Sequence, residues 1–219
     1  MEQNSEEKTR DQIKAFVDLA HRDILEIGCG DGRLTEWLAR ETSSLTAIDP
    51  DEKRAAKAKG TVPGAEVAVG SGEALAFADA SFDIILFSLS LHHHRDCSKA
   101  LAEAWRVLRD RGSLLVLEPL NDEGMGQVFA LLHNEDREKA AVRRAIDESD
   151  WVVRRSETFE SRWVFEGPEE LHEWAFGYFG MAFDPELAKQ MAEQPDVDLD
   201  ARPIVLTEVQ ELLLLGKPA

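Results

Sequence analysis

Hydrophobic positions along the chain change period several times. Residues 5–21 carry Ile13, Phe16, Val17 and Ala20 at helical spacing and predict an amphipathic helix. Asp23-Ile24-Leu25-Glu26-Ile27 is then a short apolar strand running into Gly28-Cys29-Gly30-Asp31-Gly32. A helix with Leu34, Trp37 and Leu38 on one side follows, and Ser44–Ile48 is a second strand closed by Asp49-Pro50. Lys53–Lys59 reads as helix with Gly60 as its C-cap. Ala65–Val69 and Phe82–Phe87 are further strands, the latter apolar except for Asp83. Cys97, Ala100, Leu101, Ala104, Val107 and Leu108 recur at helical spacing up to a stop at Gly112, and Leu114–Leu117 is a fifth strand ended by Glu118-Pro119. Strands that are nearly continuous apolar runs are buried on both faces, and parallel neighbours need the helices between them. With right-handed crossovers, this predicts an α/β fold built on an open, doubly wound, mostly parallel sheet. Ligands of such sheets bind beyond the carboxyl ends of the strands.

After residue 120 the pattern is less regular. Asp122–Ser149 is mostly helical, Trp151–Phe165 has strand character, Pro168–Phe179 and Pro185–Gln194 are helices, and Ile204–Leu215 is a closing strand. Pro195–Arg202 reads as a loop. We expect about seven strands, the last antiparallel, in one domain over 1–219. Its core is 22–120, and 121–219 adds cap helices and closing strands.

Composition narrows the choice. Lys and Arg number 25 against 43 Asp and Glu, a formal charge of −18. Phosphate contacts need clustered cations, so a nucleic-acid partner is not expected. The 43% apolar content, with five Trp and ten Phe, is that of a folded globular chain. Cys29 and Cys97 are far apart and in no ligand spacing, which argues against a disulfide framework and a cysteine zinc site. MEQNSEEKTRDQ is polar and acidic, unlike a secretory signal, and no apolar run reaches membrane-spanning length. A soluble, cytoplasmic protein is the expectation.

Glu26-Ile27-Gly28-Cys29-Gly30-Asp31-Gly32, between strand and helix, carries the strongest chemical signal. Glycines let the backbone turn tightly and approach a ligand, and the following helix directs its N–H groups there. A dinucleotide loop would read Gly-x-Gly-x-x-Gly, with its last glycine under a pyrophosphate. Here the third glycine comes one residue early, and Arg33 holds the dinucleotide position. The acid at Glu26 suits a ligand bearing an ammonium group better than one bearing phosphates.

These residues resemble the class I S-adenosylmethionine (SAM)-dependent methyltransferases, and most closely the small-molecule group that includes quinone-biosynthesis enzymes. The resemblance covers residues 22–120 in four elements: the Glu-x-Gly-x-Gly-x-Gly loop, Asp49, Gly70–Phe77 with Asp79–Asp83, and Ser88–His94 leading to Ala104–Arg109 and Gly112. It implies SAM as cofactor and S-adenosylhomocysteine as product. It places the cofactor on Glu26, Gly28, Gly30, Gly32, Asp49, Ser71, Gly72, Glu73 and Ser88. Asp49 would accept the ribose hydroxyls, although it can also cap residues 51–53. The family usually carries Asp where this chain has Ser71, and that Asp accepts from the adenine amino group. Either the Ser71 hydroxyl substitutes, or the backbone at Gly72 and Glu73 carries recognition alone.

His92, His93 and His94 follow the fourth strand. Histidine can accept a proton near neutral pH, and His93, slightly past the strand end, is the candidate general base. Packing against the cofactor or the next helix is the plainer role for each ring. Three consecutive histidines point in different directions, so no metal site is expected. In-line methyl transfer depends chiefly on holding donor and acceptor collinear. Phe129, Trp151, Trp163, Trp174, Phe176, Tyr178, Phe179, Met181 and Phe183 can wall an apolar small-molecule acceptor or simply pack a helical core. The alternatives are a protein methyltransferase and a non-catalytic SAM-binding regulator. The oligomeric state is left open.

Overall fold

The structure is a computed structural model, and it describes residues 2–3, 5–120 and 123–218. Its elements are β1 (Glu2–Gln3), α1 (Ser5–Phe16), β2 (Asp23–Ile27), α2 (Arg33–Glu41), β3 (Ser44–Asp49), α3 (Glu52–Thr61), β4 (Glu66–Val69), β5 (Phe82–Ser88), a 3-10 turn (Leu91–His93), α4 (Cys97–Val107), β6 (Leu108–Leu120), α5 (Met125–Leu132), α6 (Asp136–Asp147), β7 (Val152–Phe165), α7 (Pro168–Tyr178), α8 (Pro185–Ala192) and β8 (Ile204–Gly216). Asp122, where the second half was expected to turn helical, lies outside the described residues.

The hydrogen-bonded strand order is β1-β7-β8-β6-β5-β2-β3-β4. β6, β5, β2, β3 and β4 are mutually parallel, and the last strands are antiparallel, giving the expected mixed, mostly parallel sheet. The chain builds outward from β2 through β3 to β4, then crosses to β5 on the other side of β2. That reversal opens a crevice at the carboxyl ends of β2 and β5, where the glycine loop and the residues after Phe87 lie.

The residues cluster into two compact units. The larger comprises 12–118, 138–157 and 212–219, and the smaller 1–11, 119–137 and 158–211. The division therefore does not fall at residue 120, because 138–157 and 212–219 join the larger unit. In that unit Leu25, Ile27, Ile85, Phe87, Leu114 and Val116 are buried with Leu101 and Ala104 of α4 and Val142, Ala145 and Ile146 of α6. Ala47, Ala55, Ala58 and Val67 form a second cluster. Trp151 belongs here and not with the later aromatics: it packs edge-on to Trp105 and donates from Nε1 to the Leu101 carbonyl.

Local signals explain the boundaries that differ from expectation. α1 ends at Phe16, not near residue 21, and Ala20 is exposed. Gly60 lies inside α3, whose C-cap is Val62; its N-cap is Asp51, which accepts from the Lys53 and Arg54 N–H groups. Gly112 does not end α4, because β6 has already begun at Leu108. Phe82 pairs with Leu108 but Ile84 with Ser113, so 109–112 bulge out of register. A Cβ at Gly112 would stand 2.6 Å from Leu108 Cδ1 and 2.9 Å from the Asp83 carbonyl, so the bulge requires glycine. Arg109 ties it down by pairing with both Asp23 and Asp83.

In the smaller unit Glu2 and Gln3 pair antiparallel with Val164 and Trp163. Its core joins Met125 and Val128 of α5, Leu171, Ala175 and Phe176 of α7, Met191 of α8, and Trp163, Phe165, Ile204 and Leu206 of the strands.

Candidate cofactor site

The site is assembled from the ends of β2, β3, β4 and β5 in the larger unit. The Gly28 and Cys29 N–H groups donate to the Ile48 carbonyl at 2.8 and 3.0 Å, locking the glycine loop to β3. Gly28 has φ +79°, and a Cβ there would lie 2.3 Å from Ser90 Cβ. Only glycine lets the β5 end close on the loop. Asp49 clasps the loop from below: Oδ2 accepts from the Gly30 N–H at 2.8 Å and Oδ1 from the Asp51 N–H at 2.9 Å. Capping of α3 itself falls to Asp51. Each Asp49 oxygen keeps further acceptor capacity. Gly32 is the N-cap of α2 and supplies no side-chain cap to its first turn.

Glu26 is buried, and Oε2 accepts from the Thr35 hydroxyl at 2.6 Å. Burial pushes its carboxyl up to about 7, against the lowering influence of Thr35 and of the Arg33 charge. The same burial, with Glu26 and Asp49 nearby, drives the Cys29 thiol up to about 12, so it is no nucleophile.

Ser71, Gly72 and Glu73 form the turn after β4. Ser71 Oγ accepts from the Glu73 N–H at 3.2 Å, and the Ser71 carbonyl accepts from the Ala74 N–H. Glu73 Oε1 faces the start of α4, accepting from Arg95 and Asp96 N–H at 2.8 and 3.3 Å. α4 staples the rest of the segment. Glu103 Oε2 accepts from the Leu75 N–H at 2.8 Å, and Arg106 donates to the Phe77 and Leu75 carbonyls at 2.7 and 2.9 Å, to Asp79 and to Glu103. Sequence reasoning quoted Arg106 only as part of a motif.

Ser88 closes β5 half-buried, and Leu89 then takes the left-handed φ of +53°. This turn carries Ser90 back over the loop, where Oγ donates to the Ile27 carbonyl at 2.6 Å. The histidines do not all diverge as expected: His92 and His93 lie side by side, with ligand atoms within 4.8 Å of each other, and His94 turns away. His92 is buried and bonded through Nδ1 to Glu118 Oε2. His93 is exposed, its ring 4.0 Å from that of His92 between centroids. His94 Nδ1 lies 3.0 and 3.3 Å from the Ser90 and Leu91 carbonyls. Ser90 and Glu118 were missed. Glu118 carries the signal that marked Asp49, an acid at the end of an apolar strand, although β6 runs on to Leu120.

The smaller unit holds an aromatic cluster of its own. Trp163 and Trp174 have ring centroids 4.5 Å apart, and Tyr178 stacks on Phe129 and Trp174. Glu208, buried beside it, accepts from Trp163 Nε1 at 2.9 Å and Ser161 Oγ at 3.1 Å.

Residues 25–116 match a family described as a methyltransferase domain. The chain is 33% identical over 130 residues to a phthiotriol/phenolphthiotriol dimycocerosates methyltransferase of Mycobacterium ulcerans, covering 54% of this chain and 48% of that one. It is 32% identical over 108 residues to a Mycolicibacterium smegmatis protein proposed to be an S-adenosylmethionine-dependent methyltransferase, covering 48% and 42%. It thus spans about half or less of the length of these curated relatives. A protein of Bacillus halodurans C-125 proposed to be a methyltransferase superposes with a TM-score of 0.71 at 19% identity, over 97% of this chain and 98% of that one. An open α/β sheet with a glycine loop at its switch point defines a Rossmann-like fold. Over residues 25–116 the chain is similar to class I SAM-dependent methyltransferases, whose cofactor is SAM and whose product is S-adenosylhomocysteine.

The residues present fit that group. Gly28 and Gly30 provide backbone without Cβ, and no heavy atom stands within 4 Å of a Cβ built on Gly30. Glu26 holds a buried carboxyl matched to an ammonium, and Asp49 offers acceptors at the next strand end.

Proposed function

We propose that the protein transfers a methyl group from SAM to a small-molecule acceptor with a largely apolar body. The observation that carries this is the convergence of Glu26, the Gly28–Gly32 loop and Asp49 at the sheet's switch point. Glu26 receives the amino group of the cofactor, the loop lies along its amino acid and sugar portions, Asp49 accepts the ribose hydroxyls, and the 71–73 turn borders the base. Ser90, two residues past Ser88, brings the end of β5 against the loop. The bound cofactor supplies an electrophilic methyl on a sulfonium, so the protein's task is alignment and exclusion of water. His93, exposed and tilted against a His92 held by Glu118, takes the acceptor proton where the acceptor must lose one. The phthiotriol/phenolphthiotriol dimycocerosates acceptor in the name of the M. ulcerans relative supports an apolar acceptor.

Two measurements test the reading. Titration calorimetry should show S-adenosylhomocysteine binding in preference to NAD. Incubation with methyl-labelled SAM and fractionated metabolite pools should label an organic-soluble small molecule. Label confined to protein would favour a protein methyltransferase, and binding without transfer would favour a regulator.

A further inference from the structure

Among the described residues, the polar and acidic side chains at the turn expected to border adenine are already engaged. Ser71 Oγ already accepts from the Glu73 N–H, the Glu73 carboxylate is bonded to the backbone of Arg95 and Asp96, and Asp79 pairs with Arg106. Among the described residues, another group reaches this turn. A Cβ added to Gly72 would stand 2.4 Å from His94 Nε2 and 3.0 Å from Ile27 Cγ2. The imidazole therefore occupies the space that a side chain at 72 would need, between the turn and the end of β2.

The tautomer of that ring follows from its other nitrogen. Both neighbours of Nδ1 are carbonyl oxygens, of Ser90 and Leu91, and a carbonyl only accepts. Nδ1 must carry the hydrogen, and in the neutral ring Nε2 is then an acceptor. Phe87 packs edge-on to the ring, with centroids 5.5 Å apart and planes at 88°, and fixes its orientation.

We propose that His94 Nε2 is the acceptor with which this chain recognises the exocyclic amino group of adenine, in place of the carboxylate that Ser71 lacks. The inference rests on the cofactor reading above and deepens it. Adenine presents a donating amino group beside an accepting N1. Hypoxanthine presents an accepting O6 beside a donating N1–H. An acceptor at Nε2 favours the first and opposes the second.

The test is calorimetry with S-adenosylhomocysteine and S-inosylhomocysteine on the parent, His94→Leu and His94→Gln proteins. The parent should prefer the adenine ligand by at least about tenfold, the scale of one hydrogen bond gained against one opposed. His94→Leu should weaken that ligand about five- to twentyfold and leave the inosine ligand unchanged or tighter, so the preference contracts. His94→Gln, whose amide oxygen accepts, should recover part of it. Equal weakening of both ligands in His94→Leu would overturn the proposal and make the ring a filler above Gly72. If the variants do not fold, imidazole 15N shifts of the parent decide. Nε2 of His94 should move with the adenine ligand and not with the inosine ligand, and identical spectra with both overturn the assignment. A parent protein that binds neither ligand would instead refute the cofactor reading itself.

Discussion

Glu26→Gln should stabilise the ligand-free protein and weaken cofactor binding at once. Burial holds the Glu26 carboxyl near 7, against an ordinary value of 4.5. The folded state thus keeps a proton that the unfolded chain releases. Below about pH 4.5 both states are protonated and the residue costs nothing extra. Between pH 4.5 and 7 the unfolded chain ionises first, so stability falls with rising pH and levels off above 7. A difference of this size corresponds to about 3 kcal/mol. Gln carries no charge and escapes that loss, although its extra N–H pair against Thr35 returns about 1 kcal/mol. The variant should therefore melt roughly 4–8 °C above the parent at pH 8 and within about 2 °C of it at pH 5, taking about 2–4 °C per kcal/mol for a chain of this length. Comparing parent and variant at each pH cancels the titration of distant groups. The cofactor's ammonium should reverse the preference: S-adenosylhomocysteine affinity should drop about 10–150-fold in the variant at pH 7.5, the loss of one charge-assisted bond. Parent binding at pH 7 should release about half a proton, visible as a buffer-dependent calorimetric heat. A melting difference that is the same at pH 5 and pH 8 would refute the argument, because only a carboxyl titrating in that interval produces the divergence.

The other predictions concern the rest of the site. Asp49→Ala should weaken S-adenosylhomocysteine by at least about tenfold in calorimetry, since it removes the proposed ribose acceptors together with the clasp on the Gly30 N–H. Arg106→Met should release the 71–79 segment, raising amide exchange at Leu75 by at least about tenfold while β2 amides stay protected; unchanged Leu75 exchange would mean that Glu103 holds the segment alone. Glu118→Gln should leave S-adenosylhomocysteine affinity within about twofold, because its partner is His92 and not the glycine loop, and a larger loss would place Glu118 in the cofactor wall. With a net charge of −18, the protein should not retard random duplex DNA in a gel-shift titration at physiological salt.

The fold was legible because its signals are redundant. β2 and β5 are largely apolar and buried on both faces, and the helices between them bury one stripe, so a parallel sheet is the arrangement that covers both. Errors cluster where one residue carries two meanings. Gly112 read as a helix stop, since glycine commonly terminates helices, yet the glycine was demanded by contact with Leu108 and the Asp83 carbonyl, a partner 29 positions away. Gly60 shows the converse. No heavy atom lies within 4 Å of a Cβ built there, and the Asp51 cap together with tertiary packing carries α3 past it.

Within the site, local backbone demands were readable and polar partnerships were not. A strand running into three closely spaced glycines announces a loop that a ligand or another chain segment approaches. The segment approaching Gly28 is Ser90, and it arrives through a left-handed Leu89 that no propensity predicts. Glu73 and Ser71 looked like ligand groups because they are polar residues in the expected turn, but their side chains bond to backbone N–H groups of the turn and of α4's approach. Bonds of this kind join residues two to twenty-odd positions apart with no periodicity, so only the folded geometry separates a side chain that builds the site from one that faces its contents. The same geometry promotes His94. In the chain it is one of three identical letters, while in the fold it is the ring whose Nδ1 is committed to carbonyls and whose Nε2 reaches the turn, an assignment that depends on Gly72 having no side chain.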